Sequence, residues 1–242
     1  MKRIVKQTFW IKLLLATNIL TVILLVLIGF REHYPQRIYQ RLNSAYSSDY
    51  DYKQLKDWEE TVAKYSLYQE QKNIVMLGNS LTAGAIWNEL LNRPDIATRG
   101  IGGDVTAGFI GRLSYIINIK PKICFIEGGV NDLSRGVSQD VIIGNLTTMV
   151  DTLQTNGIQP ILMTVTLTTK NSLFNQRIKE LDKKILKLAQ EKNVKLIDLN
   201  QYVSDGDFLL SEYAVEDGLH FTAKTYLVWK QEVEKILEDE NI

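Results

Sequence analysis

Asn73 to Gly84 reads NIVMLGNSLTAG. Ile74, Val75, Met76 and Leu77 form a short apolar run with a β-branched pair, closed by Gly78, and this predicts a strand buried on both faces. From Thr82 the chain reads as a helix with Ile86, Leu90 and Leu91 on one side. Ser80 then falls in a strand-to-helix turn, where a hydroxyl can be exposed beside the backbone N–H groups of a helix N-terminus. Two readings of Ser80 stay open on this stretch: a cap for the helix, which is the usual employment of serine at such a place, or a reactive hydroxyl.

Downstream, strand and helix patterns alternate. Ile96 to Arg99 is a second strand, leading into Gly100-Ile-Gly-Gly-Asp, and a helix follows with Val105, Phe109, Leu113 and Ile116 inward. Ile123 to Ile126 is the third strand, ending in Gly128-Gly-Val-Asn-Asp. Val141, Ile142, Leu146, Met149, Val150 and Leu153 make the next amphipathic helix, which Asn156-Gly157 stops. Ile161 to Val165 is the fourth strand. Phe174, Ile178, Leu181, Ile185 and Leu188 give a clean helical face, and Val194 to Leu199 is the fifth strand. A last helix carries Tyr226, Trp229, Val233, Ile236 and Leu237. Repeated βα units specify an α/β fold. The expectation is a flavodoxin-like three-layer α/β/α domain with a five-stranded parallel sheet in the order 2-1-3-4-5. Ligands of such sheets bind at the carboxyl ends of the strands, where the order reverses. Ser80, Gly102-Gly103 and Asn131 would all rim that crevice.

Upstream, the run from Leu13 to Phe30 is apolar but for Thr17, Asn18, Thr21 and Gly29. Extended back to Phe9, it predicts an uncleaved transmembrane helix, with Lys12 reaching the headgroups beside Trp10. The rival, a cleaved signal peptide, has a shorter apolar core and a small-residue cleavage site, which Gly29-Phe30-Arg31-Glu32 lacks. Lys2, Arg3, Lys6 and Lys12 precede the run, which places the N-terminus in the cytoplasm and the domain outside, in a single-pass cell-membrane protein. The expected organisation is a cytoplasmic tip and anchor over residues 1–30, a helical spacer over 31–72 and the α/β domain over 73–242. Leu55, Trp58, Val62 and Tyr65 lie at helical spacing in the spacer, to which no chemistry is assigned.

The whole chain has 242 residues, 45% of them hydrophobic, and a formal net charge of zero. A neutral chain without a basic run gives no electrostatic reason for nucleic acid as a partner. Cys124 is the single cysteine and sits in an apolar run, so a buried, inert thiol is expected. Only two histidines occur, His33 and His220, which argues against a multi-histidine metal site. Gly100-Ile-Gly-Gly-Asp-Val lacks the last glycine of a dinucleotide fingerprint, and no nucleotide cofactor is expected.

Asp217-Gly218-Leu219-His220 precedes the last helix. A carboxylate three residues ahead of a histidine can accept the imidazole Nδ1–H and leave Nε2 facing a nucleophile. By itself the spacing is also met by a surface Asp and a half-buried His. The residue census narrows it: His33 abuts the apolar run, so a serine–histidine pair in the domain would use His220.

Gly78-Asn79-Ser80, Gly103 in Arg99-Gly-Ile-Gly-Gly-Asp, Asn131 in Gly129-Val-Asn-Asp, and Asp217 with His220 resemble, in order and spacing, the motifs of the GDSL/SGNH hydrolase superfamily. The likeness covers about Asn73 to Glu238 and looks closest to the branch resembling platelet-activating-factor acetylhydrolase. It implies Ser80 as nucleophile, His220 as general base and Asp217 as its orienting carboxylate. It further implies an oxyanion hole from the Ser80 and Gly103 N–H groups and the Asn131 amide, with no metal or cofactor. One departure is plain: the family's usual Asp before the serine is Asn79 here, for which a change in loop geometry rather than loss of activity is expected. Gly78-Asn-Ser-Leu-Thr is also not the G-x-S-x-G elbow of α/β-hydrolases.

The resulting expectation is a membrane-anchored serine esterase acting on small acyl esters. An outside location suggests O-acetylated glycans or lysophospholipids as substrates. The competing readings are an acyltransferase with the same triad and a non-catalytic carbohydrate- or lipid-binding module on the same fold. Asp104 is expected as a helix N-cap and Asp132 as a support for its loop, while Trp87 and Arg135 are either substrate contacts or packing.

Overall fold

A computed structural model describes residues 50–242, together with Leu14, Thr17, Asn18 and Thr21. A 3-10 turn at Tyr52–Gln54 and helix α1 (Trp58–Tyr65) precede the sheet. Then follow β1 (Ile74–Gly78), α2 (Ser80–Ala83), α3 (Trp87–Leu90), β2 (Ile96–Gly100), α4 (Thr106–Gly111) and α5 (Leu113–Ile117). Next come β3 (Ile123–Ile126), α6 (Val130–Ser134), α7 (Gln139–Thr155) and β4 (Gln159–Met163). The chain ends with α8 (Ser172–Lys192), β5 (Leu196–Ile197), α9 (Asn200–Val203), a 3-10 turn at Ser211–Tyr213 and α10 (Ala223–Asp239).

The five strands are parallel and ordered β2-β1-β3-β4-β5, as the alternating pattern implied. β1 is an interior strand, with Ile74 paired to Ile96 on one side and Ile123 on the other, and every residue of β1 and β3 is buried. Strands flanked on both sides need helices over both faces, which is why their sequences are continuously apolar rather than alternating. The order reverses between β1 and its two neighbours, so the crevice lies above the carboxyl ends of β1, β2 and β3.

The transmembrane helix expected from Phe9 to Phe30 is corrected. Among the described residues no helix is long and apolar enough to cross a membrane. The longest described helix, α8, has 21 residues but reads SLFNQRIKELDKKILKLAQEK, with a charged outer face that a bilayer core would not admit. Apart from Leu14, Thr17, Asn18 and Thr21, the anchor segment lies outside the described residues. The anchor is therefore withdrawn, and with it the membrane as a partner, the single-pass placement and the extracytoplasmic location.

Residues 47–242 form one compact unit, and the segment ahead of β1 is built into it. Trp58, Val62 and Tyr65 of α1 are buried around Ile101, in the loop after β2. Two helices expected as continuous are broken. The one after β1 divides into α2 and α3, with Trp87 Nε1 donating to Thr82 O at 2.9 Å across the break. The one after β2 divides into α4 and α5 at Arg112, whose fully buried guanidinium is drawn inward.

Candidate active site

Ser80 is the first residue of α2, and the cap of that helix is its neighbour: Asn79 Oδ1 accepts from Leu81 N at 2.8 Å. The cap reading of Ser80 is thereby taken by Asn79. The Ser80 hydroxyl instead lies 2.9 Å from His220 Nε2. Gly78, the last residue of β1, admits the close approach of the serine turn, since a Cβ there would collide with the Thr82 hydroxyl and the Glu127 backbone.

His220 is held from behind. Asp217 Oδ1 accepts the backbone N–H groups of Leu219 and His220, each at 2.9 Å, which folds the chain into an Asx-type turn. Asp217 Oδ2 is left to face His220 Nδ1 at 2.6 Å. Those two backbone donors and the imidazole, the Leu219 N–H foremost, hold the Asp217 carboxyl down to about 2. Both side chains remain nearly half exposed, His220 at 44% and Asp217 at 49%, so water reaches the histidine. The structure thus brings Ser80, His220 and Asp217 into one hydrogen-bonded line from two segments 140 residues apart in sequence.

Gly103 and Asn131 flank the same crevice. Gly103 takes φ +75, a left-handed conformation that costs a side-chain-bearing residue energy. Among the described residues the N–H groups of Ser80 and Gly103 donate to nothing in the chain. Asn131 Nδ2 donates one hydrogen to Asp104 O at 2.9 Å, and its second hydrogen is free to serve another acceptor.

Three buried polar groups set this geometry, and sequence reasoning missed their pairing. Arg112 Nε pairs with Asp104 Oδ2 at 2.9 Å, while Nη1 and Nη2 donate to Arg99 O at 2.7 Å and Gly78 O at 2.9 Å. One guanidinium thereby ties the ends of β1 and β2 to the loop carrying Gly103. Trp58 Nε1 adds a bond to Asp104 Oδ1 at 3.2 Å. Burial pushes the Asp104 carboxyl above the usual carboxylate range, with Arg112 pulling the other way. Asp104 is thus an ion-pair partner, not the expected N-cap, which falls on Val105.

Glu127, at the end of β3, accepts from Asn79 N at 3.3 Å, Asn79 Nδ2 at 2.8 Å and Thr82 Oγ1 at 3.1 Å. It anchors the serine turn from below, and burial raises its carboxyl to about 7 against the pull of those bonds. A glutamate closing an otherwise apolar strand was the available signal. Asp132 supports its loop as expected, accepting Thr106 Oγ1 at 2.6 Å, and burial lifts its carboxyl to about 6. Trp87 is fully buried, edge-on to Trp229 at 4.7 Å, and so packs rather than touching substrate. Cys124 is buried, and desolvation raises its thiol pKa. Among the described residues no group of three or more His, Cys, Asp or Glu is placed to hold a metal ion.

Residues 76–228 match the model of the GDSL-like lipase/acylhydrolase family. Among curated relatives, an N-acylneuraminate cytidylyltransferase of Streptococcus agalactiae is 26% identical over 158 residues, 64% of this chain but 36% of that protein. An arylesterase of Vibrio mimicus is 26% identical over 170 residues, 63% of this chain and 81% of that one. Among solved structures, a GDSL-like lipase from Bacteroides thetaiotaomicron superposes with a TM-score of 0.66 at 20% identity, covering 76% of this chain and 98% of its own. The family match takes in every one of the residues gathered at the crevice, and the chain belongs to the GDSL-like lipase/acylhydrolase family.

Proposed function

We propose that this protein is a serine esterase that cleaves small acyl esters through an acyl-enzyme at Ser80. The observation that carries the reading is the line Ser80 Oγ, His220 Nε2, His220 Nδ1, Asp217 Oδ2, with contacts of 2.9 and 2.6 Å. A serine hydroxyl is a weak nucleophile near neutral pH unless a base takes its proton as it attacks. His220 takes that proton, and Asp217 keeps the imidazole in the tautomer that presents Nε2 as acceptor. The carbonyl oxygen gains charge as it becomes tetrahedral, and the Ser80 and Gly103 N–H groups with the Asn131 amide bind it. Such preorganised donors are each worth about 10²–10³ in rate. Collapse of the intermediate expels the alcohol with the proton returned by His220. Water, deprotonated by the same nitrogen, then releases the acid.

The half-exposed histidine favours water over a second alcohol as acyl acceptor, and hence hydrolysis over transfer. Glycans and lysophospholipids as substrates were argued from an outside location and fall with it. Cytidylyl transfer, after which the Streptococcus agalactiae relatives are named, is not carried over, because the match spans about a third of their length. A finer affinity with the platelet-activating-factor acetylhydrolase-like branch rests on the motif residues alone.

Hydrolysis of 4-nitrophenyl acetate tests the reading. Ser80→Ala and His220→Ala should each abolish nearly all turnover, and the double variant should be little worse, since groups acting as one unit are strongly non-additive. Losses that multiply would break the shared assignment.

A further inference from the structure

Arg135 stands at the mouth of the crevice and has no part in the reaction just described. It caps the C-terminus of α6, and its Nη1 donates to the backbone oxygen of Asn131 at 3.3 Å. A Cβ built on Gly103 would lie 3.4 Å from Arg135 Nη2, so the guanidinium rests directly against the loop that offers the Gly103 N–H. The Tyr50 ring closes its other face, with the guanidinium carbon 4.5 Å from the ring centroid. Leu55 approaches the same Gly103 position to 3.3 Å. Tyr50 and Leu55 both precede the stretch that matches the family, so this chain supplies the seat of the guanidinium from its own leading segment.

A guanidinium held this way is poised rather than satisfied. Arg93 and Arg112 each pair with an aspartate, at 2.8 and 2.9 Å, whereas Arg135 pairs with no carboxylate among the described residues. The side chain is partly exposed beside Gly103, and among the described residues only Nη1 has an acceptor, which leaves Nε and Nη2 as donors without a described partner. Stacking on Tyr50 fixes the plane of the fork and lowers the entropy lost when it binds. A planar fork with free donors is matched by a carboxylate or phosphate oxyanion, whose bonds to it are charge-assisted. A packing role alone would not require a charge there.

We propose that Arg135 selects esters bearing an anionic group close to the scissile carbonyl, a carboxylate being the simplest. The inference rests on the esterase reading and adds to it the class of substrate. The anion can belong to the acyl part or to the alcohol, and two matched pairs of substrates separate these. The first pair is mono(4-nitrophenyl) glutarate against 4-nitrophenyl pentanoate. The second is 4-acetoxybenzoate against its methyl ester, and enzyme-free hydrolysis is subtracted in every case. In one pair the native protein should show a kcat/KM about 10-fold or more higher for the charged ester, a ratio suited to one charged hydrogen bond. The preference should lie mainly in KM and shrink as salt is raised, because a half-exposed pair is screened within about 8 Å at physiological ionic strength. Arg135→Gln should bring the ratio to one or below, and Arg135→Lys should keep part of it.

Equal kcat/KM for charged and neutral members of both pairs, read on the native protein without any variant, overturns the inference and leaves the esterase reading standing. A preference that survives Arg135→Gln in folded protein also overturns it. Absence of turnover on all four esters overturns the esterase reading and this inference with it.

Discussion

Replacing Asn79 by aspartate turns the donor end of a buried hydrogen bond into an acceptor. In the native turn Asn79 Nδ2 donates to Glu127 Oε1 at 2.8 Å, with Asn79 wholly buried and Glu127 only 6% exposed. In Asn79→Asp two carboxylates would share that gap, and like charges so close cannot both ionise, so the folded state must keep one proton between them. In the native protein burial already lifts Glu127 from 4.5 to about 7. Between those values the folded state holds a proton that the unfolded chain has released. Stability therefore falls across that window, by roughly 3 kcal/mol in all, and levels off above it. In the variant the shared proton is retained beyond pH 7, so the fall continues at about 1.4 kcal/mol per pH unit. From pH 7 to about pH 9 the variant should lose about 2–3 kcal/mol more than the native protein does. Urea denaturation at a series of pH values reads this slope directly. At mildly acidic pH, where the extra proton costs little, ester hydrolysis should retain a sizeable share of the native rate. Adding Glu127→Gln should flatten the slope again, because the glutamine amide can donate to Asp at 79 while its oxygen still accepts from the backbone at 79 and from Thr82. Parallel stability curves for native and Asn79→Asp, or a double variant no better than the single one, would refute the reasoning.

Asn131→Ala should lower kcat by about 10²–10³ with KM changed only a few-fold, since a donor aimed at the oxyanion acts mainly in the transition state; a pure KM effect in steady-state assays would make Asn131 a substrate contact instead. Arg112→Leu should cost about 3–5 kcal/mol in chemical denaturation, because it leaves Asp104 buried without its cation and frees the ends of β1 and β2; a loss below about 1 kcal/mol would show that Trp58 and the loop hold Asp104 unaided.

The strand order and the long helices were legible in the sequence because they rest on local pattern. The apolar runs at Ile74, Ile123 and Ile161 admit little but central strands, and the helical faces of α7, α8 and α10 repeat cleanly. The fifth strand shrinks from the expected Val194 to Leu199 to a two-residue pairing, Leu196–Ile197, at the sheet edge. What stayed hidden depends on partners far apart in the chain. Asn79 and Glu127 are separated by 48 residues, and neither residue signals the other. Trp58 and Asp104 are separated by 46, so the segment ahead of β1 read as a spacer although it braces the loop of Gly103. Trp87 could be substrate contact or core by its type alone, and only its full burial edge-on to Trp229 decides. Resemblance singled out Ser80, Asp217 and His220, which the fold brings within hydrogen-bond distance, whereas the turn that makes Asn79 the cap of the helix was not readable from the sequence. The apolar run from Leu13 to Phe30 shows the opposite limit, since hydropathy alone proposed an anchor for which the described residues offer no spanning helix.

The central claim is that Ser80 is nucleophilic because His220 takes its proton, and a fluorophosphonate probe reads that property directly. Such a probe reacts with a serine activated by a base and leaves an ordinary capping serine untouched. Intact mass and peptide mapping of the folded protein should show one phosphonyl adduct, on Ser80, absent from Ser80→Ala and reduced to a trace in His220→Ala. An unlabelled native protein that is shown to be folded, or an adduct on another residue with Ser80 unmodified, would contradict the account.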